Sequence, residues 1–112
     1  MPNQVTPNSI RTLPANRKTD AKVRLAMDSF ADYRSDPPKH YTANTPEGWA
    51  AMRECVEWLR GRGLIIMIDC YGPEWGVGVA GNCPPTALTD MKSTSLPHAV
   101  GLLVVMVSES LV

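Results

Sequence analysis

The sequence predicts an α+β fold in one domain, on three observations. An amphipathic helix with its caps occupies 46–62. Two short apolar strands follow around a Gly-Pro turn, and an apolar C-terminal segment opens with a helix cap. A chain of 112 residues and 12.2 kDa suits one core without staples. The division expected is an extended basic arm over 1–18 and a single α+β domain over 19–112.

The arm holds Pro2, Pro7 and Pro14 among Asn, Thr and Ser, and each proline turns its predecessor away from helix. Asp20 then reads as an N-cap of a helix running to about Tyr33, with Val23, Ala26, Met27 and Phe30 as its apolar stripe. Pro37 and Pro38 stop it. His40 and Tyr41 lie in the connector. The second helix has Thr45 as N-cap, Pro46 at N1, Glu47 at the positive end and Gly63 just past the last turn. Trp49, Met52, Val56 and Leu59 recur at helical spacing, and Trp49 is assigned to the core.

Leu64 to Cys70 is short, Ile-rich and apolar on both alternating faces, which reads as a central strand. After Tyr71-Gly72-Pro73-Glu74, the bulky Trp75, Val77 and Val79 alternate with Gly76, Gly78 and Ala80, predicting an antiparallel hairpin with one bare face. A third strand over about 87–92 makes the sheet two- or three-stranded. Ser95 caps the last segment and Pro97 sits in its first turn, so the Val-rich stretch that follows reads as helix. Its scarcity of polar residues predicts burial on most sides, by the rest of the fold or by a second copy.

The ordered set of features resembles the phage ABA-sandwich family of small phage and prophage proteins, from about Val23 to the C-terminus. The resemblance is carried by Leu25-Ala26-Met27, the Pro-Pro to Tyr41-Thr42 connector and Gly48-Trp49. It continues with the Gly63 break, the Gly-x-x-Trp75 hairpin and Thr94-x-Leu96-Pro97-x-Ala99-Val100. It implies phage origin and an α–β–α sandwich with two N-terminal helices, the antiparallel sheet and a C-terminal helix. It transfers no catalytic residue.

Charge and motifs narrow the function. Eleven basic residues balance eleven acidic ones, which argues against a nucleic-acid binder driven by bulk charge. The charge is asymmetric: residues 1–24 carry five basic residues against Asp20, and the rest is net acidic. No apolar run reaches the roughly 18 residues of a membrane span, and no secretory leader is read at the N-terminus. Reduced cysteines and the cytoplasm of a host cell are therefore expected. No cofactor is expected. His40, Cys55, Cys70, Cys83 and His98 are the metal-type N and S ligands, and no two are closer than 13 positions. Cys83 with His98, or Asp69 with Asp90, are the pairs weighed for catalysis, and neither forms a motif.

The expected function is that of a non-enzymatic phage protein that binds and inhibits a host bacterial protein, such as an antiphage defence component in the manner of anti-CRISPR proteins. Tyr33, His40, Tyr41 and Trp75 are its candidate contacts, since aromatic groups are enriched at binding hot spots. The alternative is a small-ligand binder that sequesters a nucleotide signal. Lys92, Ser93, Thr94 and Ser95 would hold its phosphate at a helix start, and Tyr41 or Trp75 would stack its base. Self-association through the C-terminal helix is also expected.

Overall fold

The computed structural model describes residues 7–28, 39–81 and 91–109. It has the expected α+β class: helices, a three-stranded antiparallel sheet and a C-terminal helix. The helices are α1 (Pro7–Arg11), α2 (Arg17–Met27), α3 (Pro46–Gly61) and α4 (Leu96–Ser108). The strands are β1 (Leu64–Tyr71), β2 (Glu74–Gly81) and β3 (Met91–Ser93).

The N-terminal stretch departs from extended coil. Residues 7–11 form a short helix because Ile10 has a place to go: it is 2% exposed and joins the core. The next helix starts before Asp20. Asn16 is the N-cap, its side chain accepting from Thr19 N at 2.9 Å, and Asp28 is the C-cap. Asp20 lies in the first turn and is buried with a different partner. Phe30 and Tyr33 lie outside the described residues.

Helix α3 matches its reading at both ends. Thr45 caps Gly48 N at 3.1 Å, and Gly63 takes φ 80°, the left-handed conformation that turns the chain into β1. Its buried stripe is rotated from the expected one. Gly48, Ala51, Cys55 and Leu59 face the core, Met52 and Val56 flank them, and Trp49 is 41% exposed. The inward residues are mostly small, so the α3 backbone approaches its neighbours closely. A Cβ on Gly48 would stand 1.8 Å from the Ala43 carbonyl oxygen.

The sheet order is β1-β2-β3, so among the described residues β2 is central and β1 is an edge strand, against the expectation. All eight residues of β1 pair one-to-one with β2, from Leu64 opposite Gly81 to Tyr71 opposite Glu74. Directly opposite residues share a face. One face therefore carries Leu64, Ile66, Ile68, Val77, Val79 and Met91; the other carries Ile65, Met67, Asp69, Gly76, Gly78 and Lys92.

The covered face meets α3 and α4: α3 packs on β1, and α4 packs on β2 and β3. Helices α1 and α2 pack on α4. Helix α4 is thus the middle layer, buried from Leu96 to Val107 except at the half-buried His98. At Gly101 both α2 and the connector approach α4 closely, since a Cβ there would meet Val23 Cγ2 at 3.1 Å and Thr42 Cγ2 at 3.2 Å. The apolar C-terminal helix is covered within a single chain. Among the described residues no helix is long and apolar enough to cross a membrane.

Candidate functional site

The segment Lys92–Ser95 joins β3 to α4, and its hydroxyls are already engaged. The Ser95 hydroxyl accepts from His98 N at 3.4 Å as the N-cap and donates to the Thr42 carbonyl at 3.5 Å. Ser93 Oγ accepts from Ser95 N at 3.0 Å and lies 2.8 Å from His98 Nδ1. His98 Nε2 is 2.7 Å from the Leu13 carbonyl oxygen, which can only accept. In the neutral ring Nε2 therefore carries the proton, and Nδ1 accepts from the Ser93 hydroxyl. A serine beside a histidine has the outline of an activated nucleophile. Here the serine oxygen also receives the Ser95 N–H, and the ring is oriented by a backbone carbonyl. The assembly fastens three segments of chain together and leaves Thr94 as the exposed hydroxyl of the run. It is a built helix cap.

Each of the weighed pairs has one member outside the described residues. Strand β3 pairs with β2, away from β1, so the end of β3 does not lie beside Asp69. Asp90 and Cys83 lie outside the described residues. Cys55 is buried, and burial pushes its thiol up to about 12, with Glu54 adding to the rise. Cys70 is exposed on β1.

Of the candidate contacts, Tyr41 is fully buried, so its ring is closed to a partner or a base. Among the described residues its hydroxyl has no hydrogen bond of good geometry, although the Arg24 guanidinium lies near it. Burial and the nearby Glu54 carboxylate raise its pKa, while the Arg24 guanidinium pulls the other way. Tyr33 lies outside the described residues. His40 is exposed, in a connector whose backbone lies against Gly48.

Trp75 is half-buried and meets Trp49 edge-on, with ring centroids 6.2 Å apart and planes at 76°. Trp49 Nε1 donates to Asn44 Oδ1 at 2.9 Å, which fixes the indole against the connector. Two tryptophans from different elements thus meet at the surface, Trp49 tied to Asn44 and both partly open to solvent. Sequence reasoning assigned Trp49 to the core because it sits in the helical stripe. The signal that places it outside is the small-residue set Gly48, Ala51 and Cys55, which fits a tightly packed face better.

A cleft of about 490 Å³ lies between α2 and α3. It is lined by three basic residues (Arg24, Lys39, Arg53) and three acidic ones (Asp28, Glu54, Glu57), with Trp58 among them. Lys39 pairs with Glu54, and Arg24 with Asp28 at 3.5 Å. With charges balanced and largely paired, the cleft favours neither an anion nor a cation. Arg17 of the basic arm is likewise engaged: it bonds Asp20 Oδ2 and the Lys39 carbonyl, each at 3.1 Å.

No family model matches this chain, and neither a curated protein nor a solved structure matches it.

Proposed function

We propose that the protein is a non-enzymatic binding module whose contact surface is centred on Trp49 and Trp75. The observation that supports this reading is the rigid, half-open tryptophan pair. Large aromatic groups with little rotamer freedom to lose are the side chains that contribute most at protein interfaces. The exposed His40 lies in the connector that holds Trp49 through Asn44. The partner class is a protein, because the pair lies on the outer surface of the molecule and Trp49 already spends its N–H on Asn44.

The resemblance to small phage proteins makes a host bacterial protein the partner, met in the host cytoplasm. Inhibition of an antiphage defence component is the most concrete form of that role. The nucleotide reading has less support, because Tyr41 is buried and the Ser93 and Ser95 hydroxyls are engaged.

Capture from bacterial lysate on immobilised protein tests this, with Trp49→Ala alongside. The variant removes a ring that is 41% exposed, and circular dichroism checks that the fold is kept. The expected result is one reproducible protein bound by the native chain and lost with Trp49→Ala. Recovery that is indifferent to Trp49, or no recovery, counts against the reading.

A further inference from the structure

The bonds that fasten the start of α4 are also the bonds that prepare a hydroxyl for reaction. Ser93 Oγ lies 2.8 Å from His98 Nδ1, and His98 Nε2 donates to the Leu13 carbonyl oxygen at 2.7 Å. The carbonyl fixes the tautomer, so the ring nitrogen facing Ser93 is the one without a proton. Nucleophile, base and orienting acceptor follow one another within hydrogen-bond reach, as a serine that attacks a carbonyl carbon requires. Ser95 N donates to the same Ser93 Oγ at 3.0 Å, which stabilises negative charge on that oxygen. Ser93 and His98 are both half-buried, so neither is sealed in the core.

A second observation comes from the sheet. Trp75 is the cross-strand partner of Ser93. Residues directly opposite share a face, with Cβ atoms about 4.5–5.5 Å apart. The half-buried Trp75 therefore stands beside Ser93, and Trp49 meets the Trp75 ring edge-on at 6.2 Å. The other neighbour is the first turn of α4, a 13-residue helix whose N-terminal end is positive by its dipole. An aromatic wall suits an apolar chain. A positive helix end suits an oxygen that becomes negative when its carbonyl is attacked.

We infer that Ser93 is an acylation site that takes the acyl group of an activated ester with an apolar chain. Ser93 Oγ attacks the ester carbonyl carbon, and its proton passes to His98 Nδ1. The bond from Oγ to carbon forms, the bond from carbon to the leaving oxygen breaks, and the proton on Nδ1 goes to the leaving oxygen. The Leu13 carbonyl accepts from Nε2–H before and after the transfer. One acyl group is taken per chain, so the step modifies the protein and goes beyond the proposed partner binding.

Incubation of the full chain with p-nitrophenyl butyrate, followed by peptide mass spectrometry, tests this. The expected product carries butyryl on Ser93 and forms faster in the folded chain than in the chain unfolded by urea. His98→Gln, with its fold checked by circular dichroism, is expected to slow the reaction by about tenfold or more. Trp75→Ala should slow transfer from the butyrate more than from p-nitrophenyl acetate; equal effects overturn the choice of an apolar chain. No butyryl on Ser93 of the native chain, a rate no faster folded than unfolded, or an unchanged rate in folded His98→Gln overturns the inference. Partner capture is read on Trp49→Ala without any ester, so either test can fail alone.

Discussion

Asp20 and Thr42 are 22 positions apart and are joined through one carboxylate oxygen. Asp20 Oδ1 accepts from Thr42 N at 2.8 Å and from Thr42 Oγ1 at 2.7 Å, and both residues are buried. The other oxygen takes Arg17 at 3.1 Å. Through Thr42 the latch reaches Ser95, and Thr42 also borders Gly101 of α4. One acidic side chain therefore ties the first turn of α2 to the connector that carries α3.

Replacing Asp20 with Ala removes all three bonds and strands the buried Thr42 N–H. A loss of about 2–3 kcal/mol is expected from chemical denaturation. Asp20→Asn keeps an acceptor for Thr42 and should recover part of it. A loss within about 0.5 kcal/mol for the Ala variant, the range of an ordinary surface change, would contradict the latch.

Gly48 and Gly61 predict opposite outcomes within one helix. At Gly48 a Cβ would meet backbone at 1.8 Å, so Gly48→Ala must displace the connector and should cost about 1–3 kcal/mol. At Gly61 nothing lies within 4 Å, and Gly61→Ala should be neutral or add up to about 1 kcal/mol through helix propensity. Thermal unfolding of the two variants side by side checks the pair; equal effects would show that the connector does not pack on Gly48.

Cys55 predicts an alkaline weakness. Its folded value is raised by burial to about 12 from an ordinary 9.0. Between those values the folded chain keeps the proton that the unfolded chain has lost, so unfolding releases a proton. Stability is unaffected by this group below pH 9 and falls as pH rises beyond it, by about 1.4 kcal/mol per pH unit. Cys55→Ala should lower stability by leaving a small cavity, yet lose less on going from pH 8 to pH 10 than the native chain does. Identical losses would place the thiol in contact with water.

The elements legible in the sequence were those that carry their own punctuation. Thr45, Pro46 and Gly63 bracket α3, Gly72 at φ 64° turns the hairpin, and Ser95 opens α4. What was not legible depends on partners far along the chain. Asn16 and Asp20 are equally good caps in isolation, and only the burial of Asp20 against Thr42 decides between them. Strand β1 is apolar on both faces whether it is central or at an edge, and periodicity does not encode sheet order.

The candidate site divides in the same way. The Ser95 cap was readable from composition, but the bond from His98 to Leu13 spans 85 positions and leaves no local trace. Tyr41 looked available because its connector is polar, yet it is buried beside the residues that hold that connector in place.

Hydrogen exchange followed by mass spectrometry at low and high protein concentration tests most directly whether α4 is covered within one chain while β1 is left open. The account predicts slow exchange across α4 at every concentration, and faster exchange at the outward-facing amides of β1. Fast or concentration-dependent exchange across α4, with β1 protected even in dilute solution, would contradict it.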